Sequence, residues 1–358
     1  MPTFEEYRNA GFPFKWLDEK EIASQSTLPK RLDDPAPVLA LQATFISGGL
    51  LLTFSAQHNC MDMTGQSQVI RLFAKACHEP SSFTTEELRI GTLTRKGIIP
   101  LSGEIPGVEE TSMAKAPEIP SLQTQEPEPR SKAIWSYFIF SATALSAIKS
   151  LAMKEIHTNF ISTDDAICAF IWKHLTKSRL SRLRSASTKS TFERQVDVRK
   201  HLGIPPTYTG NVVYKTSTSL LLEDVISKPL GYLASQLRTS LSPTPDLGNN
   251  ARKAATFLDH KLKSGQMNYN SVERGTIPPM DIKMSSWAKE TCYEFDFSDL
   301  LGKPEAVRRP NFEGWEGLAY LMPKGRDGQI AVALCLREED LMALNNDKEF
   351  TAFGRYVG

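Results

Sequence analysis

"AQHNCMDMTGQS", residues 56–67, is the stretch on which the reading of this chain turns. An apolar, strand-like run leads into it and a helix-like run leaves it. Within it His58 stands four positions before Asp62, and Gly65 follows. An imidazole, with a free pKa of ~6.5, can take a proton from an alcohol at neutral pH. A loop between a strand and a helix is where such a group can be held on a rigid frame. Two readings stand side by side. His58 is a general base with Asp62 touching it or locking the loop, or it is a loop histidine beside an N-capping aspartate. Cys60 adds a third, a thiol nucleophile served by His58. Its bland counterpart is a buried structural cysteine. No four-ligand set can be completed around these three residues, so no metal is expected.

Working outward, "PVLALQATFI" (37–46) and "LLLTFSAQH" (50–58) read as two strands joined at Ser47-Gly48-Gly49 in a hairpin. In "GQSQVIRLFAKAC" (65–77) Val69, Ile70, Phe73, Ala74 and Cys77 recur at helical spacing, which predicts a helix with Thr64 as its N-cap. Residues 98–132, "IIPLSGEIPGVEETSMAKAPEIPSLQTQEPEPRSK", are rich in Pro and Glu and have no period. They read as a linker between an N-terminal domain (1–97) and a C-terminal one (133–358). Beyond it come the strand "WSYFIF", a helix capped by Ser141, and the longer helix in "ISTDDAICAFIWKHLTKSRL". Ser162 or Thr163 caps that helix, with Asp164 and Asp165 in its first turn. "DIKMSSWAKETCYEFDF" and "EGLAYLMPKGRDGQIAVALCL" read as strands, the second with a turn at Gly325 to Gly328, and "REEDLMAL" as a closing helix. The class is mixed α and β.

The totals narrow the function. Across 358 residues, 42 basic side chains face 41 acidic ones. A chain that grips nucleic acid or a membrane surface by charge is more basic than this, so neither partner is expected. Five scattered cysteines with no C-x-x-C pair argue against a disulfide scaffold and for a reducing, cytoplasmic setting. The first residues lack a signal-peptide pattern, and no apolar run approaches the ~20 residues that span a bilayer. The basic stretch from Lys173 to His201 is either the solvated end of a helix or a grip on a ligand's phosphates. Arg199, set between β-type residues and Pro205-Pro206, should be partly buried and should want a carboxylate.

Five ordered segments together resemble the BAHD acyl-CoA-dependent acyltransferases, closest to the fungal branch that decorates secondary metabolites. "HNCMD" with Gly65 resembles the family's H-x-x-x-D motif, and "ISTDDAICAFIWKHLTKSRL" its helix after the crossover. "VDVRKHLGIPPTYTGN" is similar to its Arg- and Pro-bearing segment. "SSWAKETCYEFDFSDLLGKPEAVRRP" resembles the Ser-Trp strand leading into the D-F-G-W-G motif, and "LAYLMPKGRDGQIAVALCLREEDLMAL" the C-terminal hairpin and helix.

The resemblance implies an α/β, two-domain, chloramphenicol-acetyltransferase-like fold with mixed sheets flanked by helices. It implies a channel that admits acyl-CoA from one face and a small-molecule alcohol from the other, in a monomer. His58 would be the general base, with direct attack on the thioester and no permanently bound cofactor. Asp62 would pair with Arg199 in a structural role. Trp287 and Ser286 would line the site near the developing oxyanion, and Asp296 would open the second motif. Lys149, Ser162 and Lys173 lie in segments that face CoA in the family. Two departures follow. The D-F-G-W-G motif reads Asp296-Phe297-Ser298-Asp299-Leu300-Leu301-Gly302, with Ser for the first Gly, Leu for Trp and two residues inserted. The chain is also shorter than the family's length, a shortfall expected before residue 1. This motivates an alternative, a non-catalytic relative that survives as a binding module.

Overall fold

The structure is a computed structural model, and it describes residues 1–27, 37–90, 94–103, 132–182, 188–241, 246–265 and 278–358. Most of the Pro- and Glu-rich stretch expected to be the interdomain linker lies outside the described residues.

The first two strands, β1 (Leu39–Ile46) and β2 (Gly49–Ala56), form an antiparallel pair in register from Leu39↔Ala56 to Ile46↔Gly49. The turn is Ser47-Gly48, with Gly48 at φ +81°, a conformation that only glycine adopts freely. Gly49 has a second reason to lack a side chain, because a Cβ there would sit 2.4 Å from the Phe4 ring. A lone two-stranded sheet is marginal in water. This one leans on its neighbours: Phe54 meets Phe73 of the helix Met63–His78 edge-on, and Phe73 reaches Phe297 of the C-terminal half.

The other seven strands make one mixed sheet in the order β5-β4-β6-β7-β8-β3-β9. They are β3 (Ala133–Phe140), β4 (Lys189–Asp197), β5 (Val213–Leu221), β6 (Ile282–Ser286), β7 (Leu318–Leu321), β8 (Ile330–Arg337) and β9 (Gly354–Tyr356). Strands β4–β6 and β6–β7 run parallel, the other neighbours antiparallel. Side chains alternate across a strand, and β3 shows what this does. Phe138 and Phe140 enter the core under the helices, while Trp135, Tyr137 and Ile139 enter a second cluster on the opposite face. The helical side is built around Thr163–Ser178, which is buried on nearly every side and packs against Ala142–Met153, Leu230–Thr239 and Glu338–Asn346. The opposite face holds Phe14, Phe312, Tyr320 and Met322. Among the described residues no helix is long and apolar enough to cross a membrane.

Two local expectations change. The helix expected over 65–77 begins at Met63, and Asp62, not Thr64, is its N-cap: the Asp62 carboxylate accepts the Gly65 N–H at 2.8 Å. The strand expected through Phe297 stops at Ser286, since the Trp287 N–H turns to the Leu321 carbonyl and Cys292–Glu294 closes as a 3₁₀ turn. Ser162 and Ser141 cap their helices as expected, Ser162 in a capping box with Asp165.

Candidate active site

His58 lies in the turn that ends β2. The Gln57 carbonyl accepts the N–H groups of Cys60 and Met61, which curls the chain between strand and helix. The imidazole is exposed, and among the described residues no carboxylate pairs with it. Asp62 faces away from it. Only 3% exposed, its carboxylate accepts from Gly65 N, from Val212 N at 2.7 Å, and from both terminal nitrogens of Arg199 at 2.8 and 2.9 Å. A two-pronged guanidinium matched to a carboxylate is a strong, directional pair.

Arg199 opens a single helical turn, Arg199–Leu202, stopped by Gly203 at φ +68°. Its side chain also donates to the carbonyls of Tyr208 and Gly210 and to Asp197. Burial alone would pull the guanidinium's pKa down, but the Asp62 bonds and charge hold it above the ordinary value. Gly65 completes the fit. A Cβ there would lie 2.3 Å from the Thr209 carbonyl oxygen, so the helix touches the 208–212 segment backbone to backbone.

That segment delivers Asn211, a residue the sequence reading passed over. Its amide donates to the His58 carbonyl at 2.7 Å and lies 3.4 Å from the ring Nδ1. The first contact fixes the histidine's backbone, and the second lies along one edge of its ring. The signal was its place at the end of "TYTGN", one residue before the Val212 N–H that Asp62 binds. The residues after His58 and the 208–211 segment line a cavity of about 250 Å³, with Asn59, Cys60, Arg95, Ile99, Tyr208 and Asn211 in its wall; His58 is not one of its lining residues. Arg95 donates to the Cys60 carbonyl across its rim. No hydrogen bond joins the Cys60 thiol to His58 among the described residues, so the geometry does not support the thiol reading.

The remaining expected site residues are more dispersed. Trp287 follows β6, and its indole N–H donates to Ser285 Oγ at 3.0 Å, so this donor is engaged within the chain. Ser286 donates to Asp164 at 2.5 Å. Asp164 also takes Arg194, which bridges to Asp165. Thr64, two residues past Asp62, donates to Glu290 at 2.8 Å and so ties the His58 loop to the Trp287 segment. Asp296 is exposed and accepts the Ser298 N–H in a turn, away from the imidazole's immediate neighbours. Ser162 is spent on Asp165. Lys173 is eleven residues further along the same helix, roughly 16 Å away at the helical rise, and its ammonium binds the carbonyls of Ile226 and Lys228. Burial pulls its pKa below the usual value. Lys149 is half-buried on the helix Ala142–Met153 and makes no hydrogen bond or ion pair among the described residues. The basic stretch is likewise occupied: Arg179 and Arg182 meet Asp340, and Arg182 meets Glu316. Those two arginines are thus committed within the chain.

Residues 1–77 match the family of trichothecene 3-O-acetyltransferase-like N-terminal domains. Over its whole length the chain is 48% identical to the O-acetyltransferase dmxR13 of Cryptosporiopsis, spanning 78% of that protein. It is 41% identical to the trichothecene 3-O-acetyltransferase of Fusarium sporotrichioides, spanning 77% of it. The crystal structure of that Fusarium enzyme with coenzyme A and T-2 superposes with a TM-score of 0.87 at 39% identity, covering all of this chain and 79% of that one. Vinorine synthase shares the fold, with a TM-score of 0.63 at 20% identity over 94% of this chain and 70% of its own. Relatives this similar carry acetyltransferase names, which sets aside the reading as a non-catalytic remnant. The chain belongs to the trichothecene 3-O-acetyltransferase-like branch of the BAHD-type acyltransferases, fungal enzymes of secondary metabolism that draw on acyl-CoA as a co-substrate.

Proposed function

We propose that this chain, acting as a monomer, transfers acetyl from acetyl-CoA to a hydroxyl of a fungal terpenoid or alkaloid, with His58 as the general base. The carrying observation is the position of the imidazole: exposed on a loop whose next residues line a cavity, held at its backbone by Asn211, followed by the buried Asp62–Arg199 pair, and without a carboxylate partner among the described residues. The imidazole removes the acceptor's hydroxyl proton as its oxygen attacks the thioester carbonyl. The tetrahedral intermediate then collapses, the C–S bond breaks, and the protonated imidazole returns the proton to the CoA thiolate. The products are the acetyl ester and CoA with its free thiol, with no acyl-enzyme. Trp287 and Ser286 shape the wall near the developing oxyanion, and Asp296 supports the second motif's turn. Of the three lysine and serine positions considered for CoA, only Lys149 keeps its polar end uncommitted, which makes it the first to test.

The test has two steps. Unfolding temperature is followed as CoA and acetyl-CoA are added; at 100 times Kd a ligand adds about 2.7 kcal/mol to the native state. A saturable rise establishes the CoA site. Alcohols are then screened with wild type and His58→Ala. Loss of a base lowers kcat by ~10²–10⁴ while the CoA-induced rise is kept. Full activity of His58→Ala would remove His58 from the mechanism.

A further inference from the structure

Tyr208 carries a polar group that the fold does not use. Its side chain is only 3% exposed and belongs to the apolar cluster of Val198, Leu202, Val212 and Leu247. Among the described residues its hydroxyl makes no hydrogen bond. Other unpartnered hydroxyls, those of Thr176 and Thr216, are sealed in the interior, and the Tyr208 hydroxyl is not. Tyr208 lines the cavity of about 250 Å³, and that is the opening its hydroxyl meets.

The local backbone is shaped to put it there. A Cβ on Gly210 would lie 2.3 Å from Cε1 of the Tyr208 ring and 2.5 Å from its hydroxyl oxygen. The phenol therefore lies across Gly210, in the space a side chain there would take. The next residue, Asn211, shares the cavity wall and donates to the His58 carbonyl. Arg199 fixes the arrangement, since it binds the carbonyls of both Tyr208 and Gly210 as well as Asp62. One arginine thus sets the phenol and the His58 loop relative to each other.

Other donors near the site are spent: the Trp287 indole on Ser285, the Ser286 hydroxyl on Asp164, the Asn211 amide on His58. Asn59 and Arg95, also in the wall, are exposed, and Arg95 donates to the Cys60 carbonyl. Among the described residues no carboxylate lines the cavity, so a protonated amine finds no partner there, and Ile98 and Ile99 supply an apolar side. Such a wall suits part of a neutral ring system that bears an oxygen. A phenol facing an open cavity bonds water until a ligand arrives, and a ligand that brings no oxygen leaves it unpaired. We propose that Tyr208 is a specificity-determining residue: its hydroxyl donates to a second oxygen of the acceptor, a hydroxyl, ether or ketone, and so turns the hydroxyl to be acetylated toward His58. This rests on the acyl-transfer reading and narrows the acceptor to alcohols with another oxygen on the same ring system. The amide oxygens of the pantetheine arm of CoA offer the same chemistry and are the competing occupant.

The test compares alcohols that differ by one oxygen. Acetyl transfer from acetyl-CoA to the positional isomers of methoxycyclohexanol, and to the matching ethylcyclohexanols in which CH₂ replaces the ether oxygen, is measured with wild type and Tyr208→Phe. The variant keeps the ring and its packing, and since the hydroxyl has no partner in the fold its unfolding temperature should match wild type. In wild type, kcat/KM for at least one ether exceeds that of its ethyl isostere by about tenfold, the worth of one hydrogen bond left unmade. Tyr208→Phe slows that ether to the rate of its isostere and keeps the CoA-induced rise in unfolding temperature. Ethers acetylated no faster than their isosteres by wild type, or not at all, overturn the proposal, as does a preference that survives in Tyr208→Phe. An equal loss for ether and isostere overturns it too, and a raised KM for acetyl-CoA alongside would assign the hydroxyl to the pantetheine arm. Absence of the CoA-induced rise in wild type would instead strike the acyl-transfer reading itself.

Discussion

The Asp62 carboxylate has two oxygens and receives four donors, and this count assigns its role. No acceptor site is left for the imidazole, so it holds the loop from behind rather than acting in a relay with His58. Asp62→Asn keeps the shape but removes the charge and turns an amide N–H₂ toward Arg199 or the Val212 N–H. Breaking a buried pair by changing one partner costs about 3–5 kcal/mol. A urea melt should show that loss, and any fall in activity should follow the folded fraction. A variant as stable as wild type but slow would return Asp62 to the chemistry. Asp62 and Arg199 were legible in the sequence because an acid at a helix start and a cation among apolar residues each want a partner, while His58 kept two readings, base or loop histidine, until the resemblance favoured the base. Asn211 was not, because an amide is at home in any turn and its partner is a carbonyl 153 positions away.

Among the elements, the second-motif turn shows how a motif can decay and still fold. The Phe297 N–H bonds the Gly302 carbonyl, the Gly302 N–H bonds the Ser298 carbonyl, and Phe297 stays buried against the helix Met63–His78. The lengthened turn bulges outward at Leu300 and Leu301, Leu300 being 91% exposed. Ser298 takes φ +127° where the family pattern has glycine, a region that a side chain occupies only under strain. Ser298→Gly should release about 1–3 kcal/mol of strain, less roughly 0.5–1 kcal/mol for the added freedom of the unfolded chain. A thermal melt should move upward, and an unchanged or lower midpoint would show that the turn is relaxed with serine in place. Periodicity located β3, β8 and the long buried helix because their apolar residues repeat over many turns or pleats. It failed beyond Ser286, where Cys292, Tyr293, Phe295 and Phe297 are buried from a 3₁₀ turn and loop rather than from one face of a strand.

For the molecule as a whole, two buried titrating groups bend stability with pH in opposite senses. Burial, with help from Glu193, pushes the Asp281 carboxyl up to about 6, although it accepts the Thr191 N–H at 2.8 Å. The native state then keeps a proton that the unfolded chain, with a carboxyl near pKa 3.9, gives up. This contribution is fully present below about pH 4 and is lost as pH rises through 6. Burial also lowers the pKa of His174, whose Nδ1 lies 2.8 Å from Asp347, so stability falls as pH drops through the unfolded histidine's value of about 6.5. Asp281→Asn removes the first effect. Its melting temperature should exceed that of wild type at pH 7.5, and the gain should shrink at pH 5. A gain independent of pH would mean that the carboxyl is ionised throughout.

The Asp62–Arg199 bond joins residues 137 positions apart, and the Asn211 clasp on His58 reaches still further along the chain. Closing such a span is slow and comes late in folding. During synthesis His58 leaves the ribosome long before the residues that aim it. The nascent N-terminal piece therefore carries the imidazole without the segment that aims it, and on the proposed mechanism activity waits until residues 199–212 dock.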